Sequence, residues 1–368
     1  MSLVLNGTTG ITNLPSINSG QIGGSRNKIM NGAMVIDQRN AGASVTPTNG
    51  LYTLDRWQGL LAQASKYTVI QSATAPAGFI ESLKVTSSSA YSLADGDYFD
   101  ITQYVEGQNM ADLAWGTASA ATVTLSFYVR SSLTGTFGGS LQNNGQARSY
   151  PFSYAISSAD TWEKKSITIA GDTSGTWLTT NGRGIQLNFS LGTGATFSGS
   201  AGSWAGANYL GTTSTVSVVG TNAATWYVTG VQLEKGSTAT EFEHRSYGEE
   251  LALCHTYAID IAGKSLYGPC GTGFSNSTTI AFIFIPLQFS MRATPSLDSS
   301  TSAASLFQLE KAGSLINLTA IALAGSATAS SKGVYLQCSV ASGLTANDFR
   351  VLRNNNSATS KIILSAEL

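Results

Sequence analysis

The chain has 368 residues, is 42% hydrophobic, and carries a net charge of −1 from 20 basic and 21 acidic side chains. It is long enough for two or three domains with separate cores, and too apolar to be a disordered polar chain. It lacks the positive stripe that binding to nucleic-acid phosphates requires. Charged residues make up 11%, against about 25% in a typical soluble domain. Ser, Thr, Gly, Ala and Asn take their place, so the surface is solvated by hydroxyls and amides. That suits β-rich proteins working outside the cytosol better than cytosolic enzymes. The apolar run 280–287 is far short of a membrane span, so no membrane insertion is expected. The first residues have neither a basic leader nor an apolar core, so no secretory signal is expected. Cys254, Cys270 and Cys338 are odd in number and irregular in spacing. They read as buried, reduced thiols rather than a disulfide framework or a zinc site.

In chain order, residues 1–25 read as an extended tether, turn-rich at Asn6-Gly7-Thr8-Thr9-Gly10 and again at Gly23-Gly24. Residues 26–245 read as one antiparallel β-sandwich of the jelly-roll kind. Within it, Thr122-Val123-Thr124-Leu125-Ser126-Phe127-Tyr128-Val129 alternates strictly. Segments 67–70, 165–169, 185–189 and 226–233 repeat that period of two between Gly-rich turns. The interval 192–224, dominated by Gly, Ser, Thr and Ala, reads as a long exposed loop. Ser246-Tyr247-Gly248-Glu249 has the form of a capping box. Leu251, Cys254, Ala258 and Ile261 follow near helical spacing, so a short helix over 246–262 is expected to link two β domains. Residues 263–368 read as a second β-sandwich, with 279–286 a strand buried on both faces. The expected class is all-β: tether, jelly roll, linking helix, second sandwich.

Chemistry is sparse. His244 and His255 are the only histidines, too few for most triads or metal clusters, and both read as structural. No nucleophile elbow, zincin or P-loop pattern occurs. Gly182-Arg183-Gly184 and Gly192-Thr193-Gly194 read as turns, since neither precedes a helix as a phosphate cradle would. Glycoside cleavage needs two opposed carboxyl groups. The acidic groups near 95–100 and 241–243 are candidates by count alone, without the long repeats of glycan-cutting spikes, so no catalytic residue is assigned and no cofactor is expected. Asp95, Asp97 and Asp100 form a weak calcium candidate by oxygen chemistry, against the plainer reading of a charged turn. Sugars stack on exposed rings while amides and hydroxyls take their polar edges. Trp177, Trp204 and Tyr209 sit in Gly/Ser/Thr-rich stretches and are the glycan-binding candidates. Trp57, Trp115, Trp162 and Trp226 flank strand patterns and read as core.

Several stretches resemble phage and prophage tail-fibre or appendage proteins. The first runs Arg26-Asn27-Lys28-Ile29-Met30-Asn31-Gly32 through Asp37-Gln38-Arg39, followed by Leu54-Asp55-Arg56-Trp57. The second is Val231-Gln232-Leu233-Glu234-Lys235-Gly236 with Phe242-Glu243-His244-Arg245. The third is Met291-Arg292-Ala293-Thr294-Pro295 with the closing Ser365-Ala366-Glu367-Leu368. Leu5-Asn6-Gly7-Thr8-Thr9-Gly10 is similar to fibre N-termini, and the middle domain resembles carbohydrate-binding jelly rolls. The resemblance implies a homotrimeric virion subunit, held to other virion proteins through residues 1–25 and exposed to host-surface glycans. A head fibre or capsid-decoration protein is the alternative, and a polysaccharide-degrading tailspike enzyme the second alternative.

Overall fold

The computed structural model describes residues 26–325 and 330–368, together with the backbone of Ser16–Ile17 and Gly20–Gln21, which pair antiparallel. The rest of the tether expected over 1–25 lies outside the described residues. Among the described residues there is one α-helix, and no helix is long and apolar enough to cross a membrane. The chain forms two compact units. The first holds the stretch up to Val35, Ser44–Leu51 and Trp57–Arg245; the second holds Ile36–Ala43, Tyr52–Arg56 and Ser246–Leu368.

The first unit is an antiparallel β-sandwich. Its strands are β1 (Trp57–Leu61), β2 (Tyr67–Ser72), β3 (Ser82–Ser87), β4 (Tyr98–Glu106), β5 (Val123–Ser131), β6 (Gly135–Asn143), β7 (Ser149–Ile156), β8 (Glu163–Ile169), β9 (Arg183–Thr193) and β10 (Thr225–Lys235). One sheet runs β7-β6-β9-β4-β1 and the other β8-β5-β10-β3-β2. Strands distant in sequence pair, β4 with β9 and β3 with β10, so the chain wraps rather than meanders. Period-two alternation puts Val123, Leu125, Phe127 and Val129 of β5 on the inner face, all fully buried. There Phe127 meets Phe189 and Tyr154 edge-on at 5.0 Å each, and Phe189 meets Trp226 at 5.6 Å. Edge-to-face rings of this kind add about 0.5–1.5 kcal/mol per pair beyond area burial. The Tyr154 hydroxyl accepts the Trp226 indole N–H at 3.2 Å, so the ring cluster leaves neither group orphaned.

The tail-fibre-like stretches at 26–32, 231–236 and 242–245 close this unit. Asn27 Oδ1 accepts the Ile29 and Leu233 N–H groups, and its Nδ2 donates to the Val231 carbonyl. The Glu243 carboxylate accepts the Arg26 and Asn27 backbone N–H groups at 3.0 and 2.9 Å, and Arg245 donates to the Asn27 carbonyl at 2.7 Å. A Cβ on Gly32 would lie 2.2 Å from the Val231 oxygen, so only glycine allows this approach.

The second unit opens with α1 (Tyr247–His255). Its capping box is complete: Ser246 Oγ accepts the Glu249 N–H, and the Glu249 carboxylate accepts the Ser246 N–H. The helix leads into β11 (Ala258–Asp260). Then follow β12 (Pro269–Ser275), β13 (Ile280–Pro286), β14 (Ser296–Leu297), β15 (Phe307–Lys311), β16 (Ser314–Asn317), β17 (Ala320–Leu323), β18 (Gly333–Ser339), β19 (Phe349–Asn354) and β20 (Ile363–Ser365). A three-stranded sheet β11-β20-β14 accompanies a seven-stranded sheet β16-β15-β19-β12-β13-β18-β17. The core between them is mainly aliphatic, with Ile283, Leu309, Leu336, Leu352 and Leu364 fully buried.

This unit also buries a knot of charges. Arg39 pairs with Asp55 at 2.9 Å, Asp298 at 3.4 Å and Glu367 at 3.3 Å; Arg56 pairs with the other Glu367 oxygen and lies 3.5 Å over the Tyr257 ring. Three carboxylates face two guanidiniums. Burial pushes the Asp55 carboxyl up to about 6, more than Arg39 and the Gln38 N–H recover. Burial pushes Asp298 the same way, but Arg39 and Ser300 outweigh it and hold that carboxyl below its ordinary value. Arg292 ties the strand end by donating to the Ala366 carbonyl at 2.9 Å.

The all-β class and the capping box match the sequence expectation, but the helix expected over 246–262 ends at His255 and Ala258 already opens a strand. Four other details differ. The helix and β11 belong to the second unit instead of linking two, and residues 36–43 and 52–56 also join that unit, because their charged side chains find partners there. The strand β13 is buried on one face only: Ala281, Ile283 and Ile285 point inward while Phe284 is 43% exposed. The interval 192–224 is no exposed loop. Leu210, Val218 and Val219 are buried, and Gly211–Thr212 packs on the first sheet. The two glycine triplets border β9 instead of forming turns.

Candidate functional site

The sheet face of the first unit that points away from the aromatic core is polar. Gln186 pairs with Gln142 and Tyr104, Asn188 with Ser140 and Thr102, and Ser190 with Asp100. Alternation therefore puts all of these on one face. Those around Asn188 satisfy one another: Thr102 Oγ1 donates to Asn188 Oδ1 at 2.8 Å, Asn188 Nδ2 to Ser140 Oγ at 2.9 Å, and Gln186 Nε2 to Asn188 Oδ1 at 2.9 Å. The segment 205–212 lies over one end of this face, with Gln142 Nε2 donating to Asn208 Oδ1 and the Tyr209 carbonyl, and Ser149 Oγ to the Ala207 carbonyl.

At that end an aromatic corner forms. Trp115, Trp177 and Trp204 contact each other edge to face, with centroids 4.7, 5.3 and 5.4 Å apart, and Tyr150 meets Trp204 at 5.3 Å. Every indole N–H is tied: Trp115 to the Ala121 carbonyl, Trp177 to Asp172 at 3.1 Å, Trp204 to the Ala170 carbonyl at 2.7 Å. Arg148 grips Asp172 through two parallel bonds of 2.8 and 2.7 Å. Burial pushes the Asp172 carboxyl up, but Arg148, Trp177 and Ser174 outweigh it and hold it below its ordinary value. An ionised, clamped carboxylate positions rings and is no proton donor. Trp204 is itself half-buried, and nearby in sequence Asn208 Nδ2 donates to Gln146 Oε1 at 3.3 Å.

The sequence candidates thus meet in part. Trp204 stays partly exposed. Trp177 does not: it is 7% exposed and forms the wall of the corner, because its N–H and ring find partners that a Gly/Ser-rich context does not reveal. Tyr209 lies in the covering segment, but its ring packs on Gly199, where a Cβ would come within 2.3 Å of it. Trp57, Trp115 and Trp226 are buried as expected, and Trp162 is half-buried against Tyr227. Arg148, Asp172, Gln146 and Asn208 carried no sequence signal, since they converge from separate turns.

The weak calcium candidate does not assemble. Asp97 accepts the Tyr91 hydroxyl at 2.9 Å and the Ala94 N–H at 2.8 Å, closing the turn on which Asp95 is exposed. Asp100 lies in β4 on the polar sheet face. Among the described residues no three His, Cys, Asp or Glu side chains converge as a metal set. Asp100 is fully buried with no hydrogen-bond partner for either carboxyl oxygen, and burial pushes it well above the ordinary carboxylate range. His244 packs against Phe79 and Phe242, and His255, held down by burial, against Phe289. The three cysteines are free.

No family model matches the chain. No curated protein matches it either. Solved structures that align with part of the chain include the enzymatically active domain of tailspike protein 4 of bacteriophage CBA120, at 12% identity and TM-score 0.32 over 57% of this chain and 21% of that one. Another is the family 11 carbohydrate-binding module of Clostridium thermocellum with a β-1,3-1,4-mixed-linked tetrasaccharide, at 11% identity and TM-score 0.27 over 56% of this chain and 100% of that one. The chain therefore spans about a fifth of the tailspike it matches. At these identities no residue can be carried across.

Proposed function

We propose that the chain is a non-enzymatic virion subunit of a bacteriophage, a tail fibre or short tail appendage, whose first unit binds a host-surface glycan at the Trp204 corner. The observation that carries the glycan part is the corner itself. A partly exposed ring held by three neighbours and an anchored N–H leaves little to order on binding. The tail-fibre-like sequence stretches and the low-charge, hydroxyl-rich surface support the virion part. Homotrimeric assembly and attachment through residues 1–25 follow from the same resemblance.

Two experiments test this. Glycan-array binding of the intact chain should show retention that Trp204→Ala reduces at least tenfold; an unchanged profile would remove the corner from the proposal. Electron microscopy of virions carrying a labelled copy should place the label on the tail. Label over the head would favour the capsid-decoration reading instead, and release of fragments from host polysaccharide would favour the tailspike-enzyme reading.

A further inference from the structure

The second unit contains a cleft of about 610 Å³ lined among others by Asp37, Asn40, Tyr247, Lys264, Thr359 and Lys361. That volume falls within the roughly 300–1,000 Å³ of small-ligand sites. One wall is the turn 37–43, and the unit holds this turn at many points. Asp37 accepts the Asn40 and Gly42 N–H groups at 2.8 Å each. Gln38 Nε2 donates to the Ala258 carbonyl, and its Oε1 accepts the Asp260 N–H. Arg39 is fixed in the charge knot, and Lys361 donates to the Arg39 carbonyl. Burying ions is costly and gives little net stability. Here the expense holds one turn rigid, and the outer side of that turn is the cleft wall.

The lining has a definite chemistry. Tyr247 stands at the rim, 63% exposed. The Asp37 carboxyl, the Asn40 amide oxygen and the Thr359 hydroxyl line the cleft with it, the Asn40 Nδ2 being tied to the Thr53 carbonyl. The lysines have partners in place: Lys264 pairs with Asp260, and Lys361 donates to the Arg39 carbonyl. An anionic ligand would gain no uncompensated partner. A ligand with a stackable C–H face and many hydroxyls meets both halves of the lining.

We infer that this cleft is a second saccharide site, taking a short neutral oligosaccharide, so that the chain engages glycan at two places. The inference stands on the cleft alone and does not require the Trp204 corner.

Saturation-transfer difference NMR on the intact chain tests it, with maltotriose, cellotriose, galactotriose and chitotriose as neutral probes and sialyllactose as the acidic one. The expected result is a saturable signal from a neutral probe that Tyr247→Ala weakens at least tenfold and Thr359→Val weakens several-fold. Both side chains are exposed, and an unchanged melting temperature checks that the fold is intact. Trp204→Ala, measured in parallel, reads the contribution of the first-unit corner, so either reading can fail without the other. No saturable neutral probe, binding of sialyllactose alone, or a neutral signal indifferent to Tyr247→Ala would each overturn the inference.

Discussion

The two units reach stability by different means. The first joins its sheets through large rings, with Trp57, Phe127 and Trp226 fully buried and each in contact with the buried Phe189. The second has a mainly aliphatic core and sets beside it two buried arginines and three carboxylates drawn from positions 39, 55, 56, 298 and 367. Rings pack by area and tolerate approximate geometry. Ions in a low-dielectric interior tolerate none, because removing one partner strands the others. The first unit should therefore degrade gradually under substitution, and the second abruptly.

The sharpest test is Arg39→Ala, which removes the guanidinium that three carboxylates share and leaves Arg56 as the remaining cation of the knot. It should cost the second unit about 5 kcal/mol, the upper end for breaking buried ion pairs. Hydrogen exchange read by mass spectrometry should show protection lost in peptides of 246–368 and kept in those of 57–245. Loss spread evenly over both would break the comparison. Next, Phe189→Ala should cost about 3–5 kcal/mol in the first unit through the cavity it leaves, with the exchange pattern reversed.

Acidity separates the units more gently. Asp55 has a folded value near 6, above its ordinary 3.8. Its contribution to stability is thus complete below 3.8 and is lost as pH rises through 6. The second unit should melt at a higher temperature at pH 4.5 than at pH 7.5, and Asp55→Asn should flatten that slope. In the first unit Asp100, also pushed up by burial, should impose the same sign of dependence, removed by Asp100→Asn. The smallest effect is Ser246→Ala, which opens the capping box and should cost about 1 kcal/mol, visible as faster exchange confined to the first turn of α1.

Sequence period predicted most of the strands and the capping box because those signals are local. Val123, Leu125, Phe127 and Val129 announce their face by alternation alone, and Ser246 and Glu249 lie three residues apart. The charge knot is not local. Arg39 and Glu367 are separated by 328 positions, and each reads by itself as an ordinary surface charge. The same holds at the Trp204 corner, where Arg148 and Asp172 meet across separate turns. It holds in reverse for Trp177, whose Gly-rich neighbourhood suggested exposure while three-dimensional contacts bury it. Composition reported correctly that charges are few. It could not report that several of those few are inside.

The Arg39–Glu367 pair also bears on manufacture in the cell. At roughly 5–20 residues per second of synthesis, a ribosome needs on the order of 16–65 s to travel from one member of that pair to the other. The first unit's strands emerge in between and can pair while the turn carrying Arg39 still waits. A nascent chain clipped before Thr359 and Lys361 lacks one wall of the cleft, however far its first unit has folded.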